Sequence, residues 1–65
     1  MRDRVRFDSM IPGRKYIIFD GFGYDVFKFI EYDNTPLESI AVVQAVHSQK
    51  KFFLNAKDDP YIEKH

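Results

Sequence analysis

Ten basic and ten acidic side chains are spread unevenly over 65 residues, and their formal charges cancel. Arg2, Arg4, Arg6, Arg14 and Lys15 put five positive groups in the first fifteen residues, against Asp3 and Asp8. Such a segment can meet phosphate or an acidic protein patch, or it can simply guard a strand edge. Residues 16–40 carry the opposite excess, with Asp20, Asp25, Glu31, Asp33 and Glu38 against Lys28 alone. Carboxylates in pairs do acid–base work or hold hard cations. Here no D-x-[DN]-x-[DN]-G loop is present, and Asp25 and Glu31, although expected on one strand face, are three pleats apart. A negative strip facing a basic partner needs no fixed geometry and is the simpler reading. His47 and His65 form no H-x-x-x-H ligand pair, and there is no cysteine, so neither a metal site nor a cofactor is expected. Ser9, Ser39 and Ser48 stand near no recognisable base. No catalytic residues are assigned, and the chain is read as not being an enzyme.

The stretch Asp20-Gly-Phe-Gly-Tyr-Asp-Val-Phe27 offers different chemistry, rings on which nucleic-acid bases can stack. It resembles the aromatic RNA-binding strand motif of RRM and cold-shock domains through Gly21, Phe22, Gly23, Tyr24 and Phe27. Asp20 stands where that motif carries a basic residue, and Asp25 where it carries an aliphatic one. The likeness covers eight residues, and no family is recognised over the chain as a whole. The alternative is a hairpin turn with core aromatics.

These groups need elements to position them. Arg2–Asp8 alternates with period 2, as a short edge strand or arm within residues 1–12 would. Pro12-Gly13 marks a turn, and Lys15–Phe19 is a strand rich in β-branched and aromatic residues. Asp20-Gly21 reads as a two-residue hairpin turn into the strand Tyr24–Tyr32. Strict alternation in that strand sets Tyr24, Val26, Lys28, Ile30 and Tyr32 against Asp25, Phe27, Phe29 and Glu31.

Residues 35–47 read two ways. Thr35-Pro36-Leu37-Glu38 has the makings of a helix start, yet the following residues show no polar helical face and include β-branched Ile40, Val42, Val43 and Val46. Lys51–Ala56 is a further strand, Asp58-Asp59-Pro60 a turn, and residues 63–65 are expected to fray. The whole is a single small domain over 1–65, mainly β. It is expected to be a small antiparallel barrel or sheet of about five strands, of SH3-like or OB-like size. The alternative is an α+β sheet with one helix over residues 36–48.

No run of 18 apolar residues and no apolar signal core is present, so no membrane partner is expected and the expected compartment is the cytoplasm. Seven Phe and four Tyr exceed what so small a core needs, and zero net charge weighs against generic polyanion binding. The leading expectation is a protein-binding module acting through an aromatic β surface, as inhibitor, adaptor or subunit; phage-encoded host modulators work in this way. Phe27 and Phe29, or else Tyr24 and Tyr32, would be its exposed rings, with Asp25 and Glu31 as polar rim. The alternative is single-stranded nucleic-acid binding. There Phe22, Tyr24, Phe27 and Phe29 would stack on bases, and Arg4, Arg6, Arg14 and Lys15 would meet phosphates. Self-association through an exposed strand edge, giving a homo-oligomer, is the nearest variant of the first reading.

Overall fold

A computed structural model describes residues 3–19 and 21–65. Six strands form one antiparallel sheet: β1 (Arg4–Val5), β2 (Lys15–Phe19), β3 (Tyr24–Tyr32), β4 (Ile40–Ala45), β5 (Lys51–Asn55) and β6 (Tyr61–Lys64). The order across the sheet is β1-β6-β2-β3-β4-β5, so β2 to β5 form a meander and β6 returns to lie between β1 and β2. Among the described residues β5 has no ladder to β1 or β6, and the sheet is open. Short 3₁₀ turns at Phe7–Ser9 and Ala56–Asp58 are the only other regular elements there.

The helix alternative over residues 36–48 is overturned at β4. Thr35 does make the bonds of an N-cap, its hydroxyl accepting from the amides of Leu37 at 3.3 Å and Glu38 at 3.0 Å. Its own amide then donates to the Glu38 carbonyl, which closes a turn, and the chain extends from Ile40. Ala41 and Val43 are buried on one face while Ile40 and Val42 cover the other. Apolar groups needed on both sides of a central strand leave no polar stripe for a helix to show.

The main core cluster lies against one face, the inner one, while on the other face Ile17 and Glu63 are also buried. Tyr16, Phe27, Phe29, Ala41, Val43 and Ile62 are buried on the inner face, with Ile18, Tyr32, Phe52 and Leu54 packed beside them. Met10, Phe7 and Val5 cover this cluster from the segment that follows and includes β1. Two phenols hold that cover in place. Tyr16 accepts a hydrogen bond from the Ile11 amide at 2.7 Å, and Tyr32 accepts one from the Met10 amide at 3.0 Å.

A bulge in β3 explains how Tyr32 reaches the core. Phe29 pairs with Val43 but Glu31 pairs with Val42, so Ile30 is an extra residue and the alternation is reset. Phe27, Phe29 and Tyr32 therefore share the inner face. Strict alternation had placed Tyr32 with Tyr24, and Glu31 with Asp25, and the bulge reverses both.

Two boundaries and the length of one connection also differ from the sequence reading. The expected strand Arg2–Asp8 shrinks to Arg4–Val5 because Phe7–Ser9 turns over the core; Arg2 lies outside the described residues. Phe19 pairs with Tyr24, which makes the connection four residues long rather than two, and Asp20 is also outside the described residues. The expected frayed tail is instead a paired strand up to Lys64: Ile62 is in the core, Glu63 is 6% exposed, and the Lys64 amide donates to the Asp3 carbonyl at 3.1 Å.

Candidate interaction face

Alternation along each strand sends a second set of side chains to the outer face, away from the core cluster. The ladders align them in rows across the sheet. Tyr61, Phe19 and Tyr24 stand side by side on β6, β2 and β3. Next come Arg4, Glu63, Ile17 and Val26, then Lys15, Lys28, Gln44 and Lys51, and beyond these Val42 and Phe53.

The first row is an aromatic cluster on the solvent side of the sheet. Phe19 lies 5.8 Å from Tyr24 and 5.4 Å from Tyr61, ring centre to ring centre, the latter pair edge to face. The Arg4 guanidinium carbon sits 4.9 Å above the Tyr61 ring and a terminal nitrogen 3.4 Å from Asp59. A hydrogen bond with the Glu63 carboxylate pushes the Tyr61 phenol above its ordinary value, as proton loss there would set two negative charges together. Tyr24 is 58% exposed and Tyr61 40%.

The lysine row has a different character. Lys15 and Lys28 are directly opposed on β2 and β3, and Lys51 lies two strands further with the neutral Gln44 between. Like charges in a cross-strand pair repel. Among the described residues none of the three lysines is in an ion pair; Arg4, Arg6 and Lys57 are. A depression of about 350 Å³ beside this row is lined by Lys15, Lys28, Gln44, Val46 and Gln49.

The expected exposed set is thus divided. Phe27 and Phe29 are 0% exposed and belong to the core, so neither ring offers a docking or stacking surface. Tyr32 is half-buried on the inner face, its hydroxyl donating to the Phe7 carbonyl at 2.6 Å. Tyr24 alone of those four rings stands on the outer face. Glu31 is on that face beyond the bulge, whereas Asp25 is exposed on the opposite side of β3. Phe22 is fully exposed at the tip of the β2–β3 loop. Arg4 and Lys15 reach the outer face; Arg6 lies 3.7 Å from Asp8, and Arg14 is exposed where β2 begins. Phe19, Tyr61, Phe53, Lys28 and Lys51 were not among the expected site residues, because only the strand order brings them to one face.

A cleft of about 710 Å³ opens elsewhere, between β1 and the Ala56–Asp58 turn. Arg4 and Arg6 line it together with Asp8 and Asp59, so its charges offset one another. Among the described residues no three His, Asp or Glu side chains gather where a metal ion would be held, and no helix is long and apolar enough to cross a membrane. No known family model, curated protein or solved structure matches this chain.

Proposed function

We propose that the protein is a non-enzymatic protein-binding module that docks its partner on the outer face of the sheet. The observation that carries this reading is the Phe19–Tyr24–Tyr61 cluster, with Arg4 stacked on its edge, built outside the core. Tyrosine and arginine supply large contact area and a polar handle together, which is why they recur at interface hot spots. The expected surface is therefore kept but moved: Tyr24 stays, and Phe19 and Tyr61 take the places given to Phe27 and Phe29. A chain without cysteine suits a reducing compartment, and the cytoplasm remains our assignment. The test is affinity capture with wild-type protein and with Tyr24→Ala and Tyr61→Ala baits, each first checked by amide NMR for an intact fold. A partner held by wild type and lost by both variants supports the reading; one held equally by all three overturns it.

The lysine row favours a second reading, single-stranded nucleic-acid binding on the same face. Three lysines that form no ion pair among the described residues, beside exposed rings, suit a phosphate backbone with stacked bases. Titration with a dT15 oligonucleotide at two salt concentrations separates the two. Shifts at Tyr24, Tyr61 and the lysines that weaken linearly in log–log form with salt would favour the nucleic acid.

A further inference from the structure

Strand β5 forms one open edge of the sheet. The Ala45 amide donates to the Lys50 carbonyl at 3.0 Å and the Ala56 amide to the Ser39 carbonyl at 2.9 Å, which fixes the phase of the β4–β5 ladder. Antiparallel residues alternate between facing the partner strand and facing away. Lys50, Phe52, Leu54 and Ala56 therefore turn their backbone groups toward β4. Lys51, Phe53 and Asn55 turn theirs outward, and among the described residues no strand receives them. Edge strands are commonly blunted by lysine. Lys50, Lys51 and Lys57 flank this one, yet its midpoint is Phe53, 68% exposed.

We infer that β5 pairs with β5 of a second copy of this chain, antiparallel, about a two-fold axis at Phe53. That register sets Phe53 against Phe53 and Lys51 against Asn55 on the outer face. On the inner face it sets Phe52 against Leu54 and Lys50 against Ala56. Every lysine meets a neutral residue, Lys57 falling opposite Gln49. The three outward-facing residues of each copy form three hydrogen-bonded pairs, so all six exchange bonds are made. Moving the second strand by two residues one way sets Lys51 against Lys57. Moving it the other way faces Lys51 with Phe53 and carries Asn55 past the end of the partner strand. Charge and bond count select the same alignment, and the product is one continuous twelve-stranded sheet with closed two-fold symmetry.

This pairing leaves Phe19, Tyr24 and Tyr61 uncovered, so it stands independently of the partner reading above. Sedimentation equilibrium of the full chain across a concentration series tests it. The wild-type mass is expected to rise from 7.7 kDa toward roughly twice that value, and Phe53→Glu, with two carboxylates on the axis, is expected to hold at 7.7 kDa. Phe53 is on the solvent side, so amide NMR of the variant should show the monomer fold intact. Register is read separately by cysteine pairs, in a chain that has no cysteine of its own. Opposed residues of a hydrogen-bonded pair lie about 5.5 Å apart at Cα, within disulfide range. The double variant Lys51→Cys with Asn55→Cys should yield a covalent dimer on mild oxidation, and each single variant should not. A wild-type chain that stays at 7.7 kDa leaves the edge to some other strand and overturns the proposal. So does a Phe53→Glu chain that associates as wild type does, or single cysteines that cross-link as well as the pair.

Discussion

The hydroxyl of Tyr32 donates to the carbonyl oxygen of Phe7 at 2.6 Å, while the two rings stand 6.0 Å apart at a 51° tilt. One side chain from the far end of β3 thus fastens the segment that covers the core, and it also receives the Met10 amide. Replacing Tyr32 by Phe keeps the ring and orphans a half-buried carbonyl and amide. The expected loss is about 1–3 kcal/mol of unfolding free energy, read by urea denaturation. Faster amide exchange confined to residues 7–11 would accompany it.

Burial pushes the Tyr32 phenol above its ordinary value of 10.0, outweighing the Met10 hydrogen bond that lowers it, and the nearby Asp8 charge adds to the rise. In the unfolded chain this group loses its proton near pH 10, before the folded form does. Its contribution is therefore fully present below pH 10 and is lost as pH rises through the folded value. Urea midpoints taken between pH 8 and pH 11 should fall in wild type. The fall should be smaller in Tyr32→Phe.

Positions on opposite faces of β3 should respond to a very different extent. Phe27→Ala empties a fully buried site and is expected to cost about 3–5 kcal/mol. Tyr24→Ala removes an exposed ring and is expected to cost under about 1 kcal/mol, chiefly its contact with Phe19. Equal losses in chemical denaturation would contradict the assignment of faces.

The directly opposed Lys15 and Lys28 make a further case. Lys28→Glu turns repulsion into attraction and should raise stability by roughly 0.2–1 kcal/mol at low salt. The gain should shrink in 1 M sodium chloride, where charges this exposed are screened. An unchanged midpoint at low salt would mean the two ammonium groups avoid each other. If the lysine row serves an anionic partner, the same variant becomes more stable and binds it less well.

Much of the strand layout could be read from residue types, and the reasons are local. Lys15–Phe19 and Tyr24–Tyr32 are bounded by glycine and by turn residues and filled with β-branched and aromatic side chains, and both strands begin and end where expected. Residues 40–45 were ambiguous because a strand apolar on both faces has no period to display. The bulge at Ile30 carries no local signature, yet it decides which face Tyr32 joins. The aromatic cluster was illegible for a related reason. Phe19 and Tyr61 are 42 positions apart in the chain, and only the return of β6 to β2 brings their rings together. Residues 63–65 looked like a loose end because the alternation of β6 covers only four positions, too few to separate from chance.

The placement of β6 between β1 and β2 has a consequence for the order in which the molecule can be assembled. During synthesis β2 to β5 emerge in sequence and can pair as they appear, each with its predecessor. Strand β1 emerges before all of them and has nothing to pair with until residues 61–64 are made, because β6 is its ladder partner. Ile62, fully buried in the core, arrives at the same late moment. The β1–β6 and β2–β6 ladders and the burial of Ile62 can therefore be completed only after residues 61–64 have been made, which leaves these non-local pairings to the end.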